Sequence, residues 1–178
     1  SSSWSRKVSL LNYDVEKNID MLPKADIIFV FNMFCYIKNP IRFLNQLQMH
    51  LKPNGKVVVR QYDGGTLRFG PMDESARQLI DSSLFSAISL SEEFHHYDLD
   101  RVFSAIESSN FKSKKIEFEL YQKTAPYSKD VKEYIDETIR WTCHYISENA
   151  HEKLLSWYEN EFQRKSYLVE VDLVSILS

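Results

Sequence analysis

Residues 25–63 place the tightest limits on the fold of this chain. Asp26–Phe31 is a continuous β-branched and aromatic run, which predicts a strand covered on both faces. Pro40 suits the first turn of a helix, and apolar residues follow at helical spacing, at Ile41, Leu44, Leu47 and Leu51. Lys52–Gly55 then stops the helix, because proline cannot continue it and Asn-Gly tolerates positive φ. Lys56–Tyr62 is predicted to return as a second strand.

Composition limits the classes of function. The chain has 178 residues, of which 43% are hydrophobic, enough for one domain with a real core. Its net charge of -3 does not favour bulk attraction to nucleic acid. No apolar run is long enough for a membrane span, and the start lacks the apolar core of a secretion signal. Cys35 and Cys143 form no CxxC pair, so we expect no metal site and a reducing, cytoplasmic setting.

The rest of the chain alternates between strand and helix patterns. Strands are predicted at Val8–Tyr13, Ile116–Tyr121 and Tyr167–Leu177. A loop or one helical turn separates the first of these from Asp26, and residues 63–71 read as a glycine-containing loop. Helices are predicted to begin at Asp73, Asp98, Ser128 and about His151. No linker rich in proline, glycine or serine divides the chain, so residues 1–178 are predicted to form one domain.

The order of strand, helix, Lys-Pro-x-Gly turn and strand resembles the second half of a class I S-adenosylmethionine-dependent methyltransferase. The segment LKPNG at Leu51–Gly55 differs from the family's LKPGG at one position, where asparagine also tolerates positive φ. The resemblance implies an α/β, Rossmann-like fold. Its sheet would be mostly parallel with an antiparallel terminal strand, and its first strands would be absent from this chain.

The resemblance also implies a cofactor, S-adenosylmethionine, and residues that would bind it. Asp14, after the first predicted strand, matches the family's acidic residue against the adenine amino group, and Val15 matches the residue packed on the adenine ring. Asn32 and Met33 match positions facing the methionine part and the methyl group. Ligands of open α/β sheets bind at these carboxyl ends. The alternative for Asp14 is a turn or helix cap, and for Asn32 a loop amide bonded to backbone.

One departure from the family concerns glycine. The four glycines all follow Asp26–Phe31, so the GxGxG loop that lets backbone approach the cofactor is absent from the sequence. Three explanations stay open. The protein is longer and this chain lacks an N-terminal segment, or another chain, such as the partner in a homodimer, supplies the missing strands, or the fold has lost cofactor binding. We favour the first, and expect residues 1–178 alone to bind negligible S-adenosylmethionine.

Two insertions, at about 63–97 and 126–165, are predicted to form helical lids over the substrate. A histidine with a pKa near ~6.5 suits proton removal, so His95 or His96 is the candidate base. The candidate substrate-binding residues are Tyr62, Asp63, Arg68, Tyr97, Trp141 and Tyr145. The alternatives are that the histidine pair is a loop feature and that the aromatic residues of the long helix belong to the core.

The sequence therefore predicts an enzyme that transfers a methyl group from S-adenosylmethionine to a small molecule. A non-catalytic methyltransferase-like subunit, or a module that binds a partner through its sheet edge or added helices, is the alternative. A different Rossmann-like protein is a third reading, but such proteins also need a glycine-rich loop. Neither a membrane nor nucleic acid is an expected partner.

Overall fold

The chain folds around a five-stranded mixed sheet. The computed structural model describes residues 8–64, 67–91, 98–162 and 164–178. The strands are β1 (Ala25–Phe31), β2 (Leu51–Tyr62), β3 (Arg68–Gly70), β4 (Lys114–Thr124) and β5 (Tyr167–Leu177). The helices are α1 (Pro40–Met49), α2 (Glu74–Ser89), α3 (Leu99–Glu107), α4 (Lys129–Tyr145) and α5 (Glu148–Asn160). The predicted α/β class is confirmed.

The β1–α1–β2 unit has the predicted parallel arrangement. Ile28 pairs with Val57 and Val30 with Val59 in parallel register. Helix α1 begins where the sequence indicates, because Pro40 occupies its first turn and the Asn39 side chain accepts a hydrogen bond from the Arg42 amide at 3.0 Å. This crossover brings the carboxyl ends of β1 and β2 to the same edge of the sheet.

The predicted mostly parallel sheet is wrong for the described residues, in which β1 and β2 form the one parallel pair. Strand β5 runs antiparallel to β2, β3 and β4. Because a strand has only two edges and β4 pairs along all of β5, β2 and β3 must share the other edge, one after the other. The antiparallel terminal strand itself was predicted. It occupies the centre of the sheet.

Two hydrophobic cores lie on opposite faces of β5. On one face, α1 and α3 cover β1, β2 and the Leu173 and Leu177 side chains. On the other, α2, α4 and α5 pack over Phe69 of β3 and Leu168 of β5. These three helices come from the two predicted lid insertions, so the insertions share one core.

The structure corrects two predictions about the first strands. Val8–Tyr13 is not a strand: its residues are exposed, Leu10 by 92%, and no described strand lies beside it to accept its backbone hydrogen bonds. Strand β1 is covered on one face only. Ile27, Phe29 and Phe31 are 51%, 61% and 52% exposed on the other face, because α2, α4 and α5 reach only the β3 end of the sheet.

Two turns also differ from expectation. Lys52–Gly55 lies inside β2, at an irregularity where the partner of β1 jumps from Leu51 to Lys56, and Asn54 has the expected positive φ of 64°. A Cβ at Gly55 would lie 2.9 Å from the Lys52 carbonyl oxygen, so the close approach requires glycine. Strand β3 interrupts the loop predicted at 63–71.

Among the described helices, none is both long enough and apolar enough to cross a bilayer.

Candidate functional site

The carboxyl ends of β1 and β2 bring two predicted groups of residues together. The Asn32 backbone amide donates to the Arg60 carbonyl oxygen at 2.9 Å, and the Asn32 side-chain oxygen accepts from the Tyr62 amide at 3.3 Å. Asn32 has φ 51°, in the left-handed region that asparagine tolerates. The chain thus turns at Asn32 at the end of β1, and the two hydrogen bonds of Asn32 hold that turn to β2. Asn32, a predicted cofactor residue, therefore lies beside Tyr62, a predicted substrate residue.

The loop after Asn32 is held from both sides. The Gln61 side-chain oxygen accepts a hydrogen bond from the Phe34 amide at 3.3 Å. From α3, the Arg101 guanidinium donates to the carbonyl oxygens of Phe34, Ile37 and Lys38. Burial lowers the pKa of Arg101 below its usual range. These hydrogen bonds tie the loop to β2 and to α3.

A cavity of about 400 Å³ opens beside the end of β2, a size typical of small-molecule sites. Its walls come from β3, α2 and α4, so both insertions contribute to it. The lining residues are mainly apolar or aromatic: Tyr62, Gly64, Leu67, Arg68, Phe69, Arg77, Ile80, Asp81, Leu84, Phe85, Ile88, Trp141 and Thr142. The predicted substrate residues Tyr62, Arg68 and Trp141 are among them. Asp63 follows Tyr62, and its amide donates to the Val171 carbonyl oxygen at 3.1 Å.

The aromatic residues of α4 connect the cavity to the loop after β1. The Trp141 and Tyr145 rings lie 4.8 Å apart, and both pack against a small cluster that contains Cys35 and Ile88. The buried stripe of α4 is a different set: Val131, Ile135, Ile139 and Thr142. Trp141 and Tyr145 thus lie between the cavity and the β1 loop, beside the main core stripe of the helix.

The charged residues of the cavity differ in their exposure and in the contacts that hold them. The Arg77 guanidinium donates to the Phe69 carbonyl oxygen, lies 5.3 Å from the centre of the Phe69 ring, and pairs with Asp81 at 3.4 Å. Arg68 borders the cavity from β3 but is exposed. Arg68 therefore meets water, whereas the Arg77 side chain is only 12% exposed.

A buried ionic cluster on β2 and β5 was not predicted. The Arg60 guanidinium donates to Asp172 Oδ2 at 2.5 Å and lies 3.6 Å from Glu170 Oε1, while the Tyr134 hydroxyl donates to Glu170 Oε2 at 2.6 Å. Burial raises the pKa of Glu170 and of Tyr134. Within the part of the chain that the structure describes, Asp172 Oδ1 is buried without a hydrogen-bond partner. In the sequence, Glu170 and Asp172 alternate with apolar residues, a pattern that also fits a strand with one exposed face, so it does not predict their burial.

Comparison with known proteins identifies the family. The model of the methyltransferase domain matches residues 5–103, more than half of the chain. The chain belongs to the methyltransferase domain family. This confirms the resemblance on which the predicted cofactor and site residues depend.

Solved structures similar to this methyltransferase domain are distant. One is a Haemonchus contortus phosphoethanolamine N-methyltransferase 2, crystallised with phosphomonomethylethanolamine and S-adenosylhomocysteine: it is 16% identical over 88% of this chain and 34% of its own, with a TM-score of 0.40. Another is the YcgJ protein of Bacillus subtilis, 12% identical over 88% of this chain and 66% of its own, with a TM-score of 0.42. The chain spans about one third to two thirds of their lengths. No curated protein matches it.

The methyltransferase domain's predicted adenine residues are engaged in local structure. The Asp14 carboxylate accepts from the Glu16 and Lys17 amides at 3.2 and 3.3 Å and pairs with the Lys17 ammonium at 2.8 Å, which lowers its pKa. Val15 packs against the first core. Asp14 lines a second cavity, of about 320 Å³, with Lys38 and other residues near the start of α1. The cap alternative for Asp14 matches this geometry.

The described residues do not make a complete site for S-adenosylmethionine. The Asn32 carbonyl and side-chain oxygens hold the loop and β2, Val15 faces the core, and the sequence lacks the glycine-rich loop. Met33, the other residue predicted to face the methyl group, is partly buried against the first core. The predicted residues His95, His96 and Tyr97 lie outside the described residues, so their roles stay predictions. Among the described residues, no group of histidine, cysteine, aspartate and glutamate side chains has the arrangement of a metal site.

Proposed function

We propose that this chain supplies the acceptor-binding part of an S-adenosylmethionine-dependent methyltransferase that acts on a small molecule. The observation that carries the proposal is the cavity beside the carboxyl ends of the parallel strands β1 and β2, in a chain of the methyltransferase domain family. Binding sites of open α/β sheets lie at such ends. The acceptor would lie against Tyr62 and Trp141, which line the cavity from β2 and α4.

The residues of the chain would act by positioning. Methyl transfer is an in-line displacement, so much of its rate comes from holding donor and acceptor at the right distance and angle. When bound, S-adenosylmethionine supplies an electrophilic methyl group on sulfur. Tyr62 is fixed at its amide by Asn32, and the lid helices exclude water from the cavity floor around Ile80. His95 or His96 stays the proposed base for acceptors that must lose a proton, and the cytoplasm the proposed location.

Cavity filling tests the proposal. The measurement is transfer of labelled methyl groups from S-adenosylmethionine to a panel of small molecules by the complete natural protein. Leu84→Trp fills the cavity and should abolish transfer. Leu90→Trp is the matched control, because Leu90 is 84% exposed at the end of the same helix and does not line the cavity. Transfer by Leu84→Trp at the wild-type rate, or no transfer to any compound by the wild type, contradicts the proposal.

The second candidate is a non-catalytic module that binds a protein partner. The exposed apolar row of Ile27, Phe29 and Phe31 favours it, because apolar patches on a sheet face mark interaction surfaces. Calorimetry with S-adenosylmethionine and with NAD separates the candidates. Binding of S-adenosylmethionine by the complete protein supports the enzyme. Its absence, together with a complex that Phe29→Ser disrupts, supports the module.

A further inference from the structure

Among the described residues that line the acceptor cavity, the least exposed charge is already paired. Arg77 and Asp81 lie one helical turn apart on α2 and pair at 3.4 Å. The Arg77 side chain is only 12% exposed and is also held by the Phe69 carbonyl oxygen and ring. Arg68 also borders the cavity, but it is exposed, so water screens its charge. The little-exposed guanidinium of the described lining is therefore already compensated by a carboxylate and a carbonyl oxygen.

The rest of the lining offers little to an ionic ligand. The Thr142 hydroxyl donates to the Thr138 carbonyl oxygen at 2.8 Å, so its proton is already used. Ile80 and Ile88 are 2% and 6% exposed and form the floor. A charged group moved from water into such surroundings without a partner is strongly disfavoured.

We propose that the cavity selects an uncharged, mainly apolar acceptor with a flat aromatic part. This inference rests on the proposed function, since it names the class of that function's acceptor. The flat part would lie between Trp141 and Tyr62, where ring contacts add to the burial of apolar surface. The Arg77–Asp81 pair disfavours both anionic and cationic ligands, because Asp81 screens the charge of Arg77 and Arg77 screens the charge of Asp81.

Binding of three matched probes tests the inference without any methyl donor. Naphthylmethanol, naphthoate and naphthylmethylammonium share one ring system and differ in charge, and calorimetry on this chain near neutral pH compares them. The neutral alcohol should bind at least about tenfold more tightly than either ion. Leu84→Trp should abolish its binding and Leu90→Trp should not, which locates the probe in the cavity rather than on the exposed face of β1.

Removing one charge of the pair gives the sharper result. Asp81→Asn leaves Arg77 uncompensated, so naphthoate should bind about threefold more tightly while the alcohol is unchanged; the effect is small because the Asp81 side chain is 61% exposed. Glu74→Gln is the matched control, because it removes a carboxylate from the same helix outside the cavity. Circular dichroism confirms that each variant is folded.

Three results would overturn the inference: tighter binding of either ion than of the alcohol by the wild type, failure of all three probes to bind, or equal gains for naphthoate in Asp81→Asn and Glu74→Gln. These outcomes are separate from failure of the proposed function. Methyl transfer to a charged acceptor would contradict the inference about the acceptor and support the proposed enzyme function. Tighter binding of the neutral probe, without any methyl transfer by the complete protein, would support the inference about the cavity and contradict the enzyme function.

Discussion

Replacing Arg60 with methionine should destabilise the fold more than any other change to an exposed residue of β2. Among the described residues, Arg60 is the one cation that pairs with two carboxylates whose side chains are almost fully buried, Glu170 at 5% exposed and Asp172 at 4%. Methionine keeps the stem of the side chain and removes the charge. Asp172 Oδ1 already lacks a hydrogen-bond partner, and the variant would deprive Asp172 Oδ2 of both of its guanidinium donors.

The size of the effect follows from how deeply the cluster is buried. Removing one partner of a fully buried ion pair costs about 3–5 kcal/mol, whereas an exposed pair is worth about 1 kcal/mol or less. The Arg60 side chain is 44% exposed, so water replaces part of what the guanidinium provides. We expect Arg60→Met to lower the free energy of unfolding by about 2–3 kcal/mol.

Urea unfolding near neutral pH measures this loss, as a midpoint lowered by about 1 M with an unchanged slope. Lys56→Met is the matched control, because Lys56 lies on the same face of β2 and is exposed. Adding Asp172→Asn to Arg60→Met should restore part of the stability, since it removes one stranded charge. A loss below about 0.5 kcal/mol for Arg60→Met, or no recovery in the double variant, would refute the reasoning.

Three further predictions concern pH, a helix cap and the bare sheet face. Burial raises the pKa of the Glu170 carboxyl in the folded state. Glu170 therefore contributes its full stabilisation below the ordinary glutamate pKa of about 4.3, and this stabilisation is lost as pH rises through the folded pKa. Over this pH range, urea midpoints should fall more in the wild type than in Glu170→Gln. Asn39→Ala removes the cap of α1 and should cost about 1 kcal/mol, whereas Ser128→Ala, at a position that makes no cap hydrogen bond, should cost little. Phe29→Ser should reduce self-association, measured by light scattering against concentration, because Phe29 is 61% exposed.

Each of these has a control or a contradicting result. Glu170 faces Tyr134, Arg60 and Asp172, so parallel pH profiles for the wild type and Glu170→Gln would show that this cluster does not set the dependence. Equal losses for the two cap variants would contradict the assignment of Asn39. Phe118→Ser is the matched change for Phe29, with a phenylalanine that is 58% exposed on β4 at the far edge of the sheet. Equal effects there would mean that exposure alone, and not the β1 face, drives association.

The β1–α1–β2 unit could be predicted because its signals are local. The apolar run of β1, the proline at the start of α1 and the Asn-Gly pair at Asn54 each act within a few residues. The order of the strands could not be predicted in the same way, because the central position of β5 depends on pairing with β2 over more than a hundred residues of sequence. Strand β3, Arg68–Gly70, was missed because three residues are too few for a periodic pattern.

The candidate site was predicted in part. Tyr62 and Trp141 were predicted as substrate-binding residues of insertions near the carboxyl ends of the strands, and both line the cavity. The Arg60 cluster needed the pairing of β2 with β5, and Arg77 needed the packing of α2 against β3. Both depend on contacts between distant segments, which composition and spacing do not contain.

The central position of β5 sets the order in which the sheet can be assembled on the ribosome. Three other strands pair with Tyr167–Leu177, which is the last described strand to be synthesised. At a synthesis rate of about 5–20 residues per second, β5 is completed several seconds or more after β2. During this time the core under α1 and α3 lacks Leu173 and Leu177. The nascent chain therefore lacks the partner strand of β2, β3 and β4 over that interval, and a premature stop before residue 167 would leave three strands without the one that joins them.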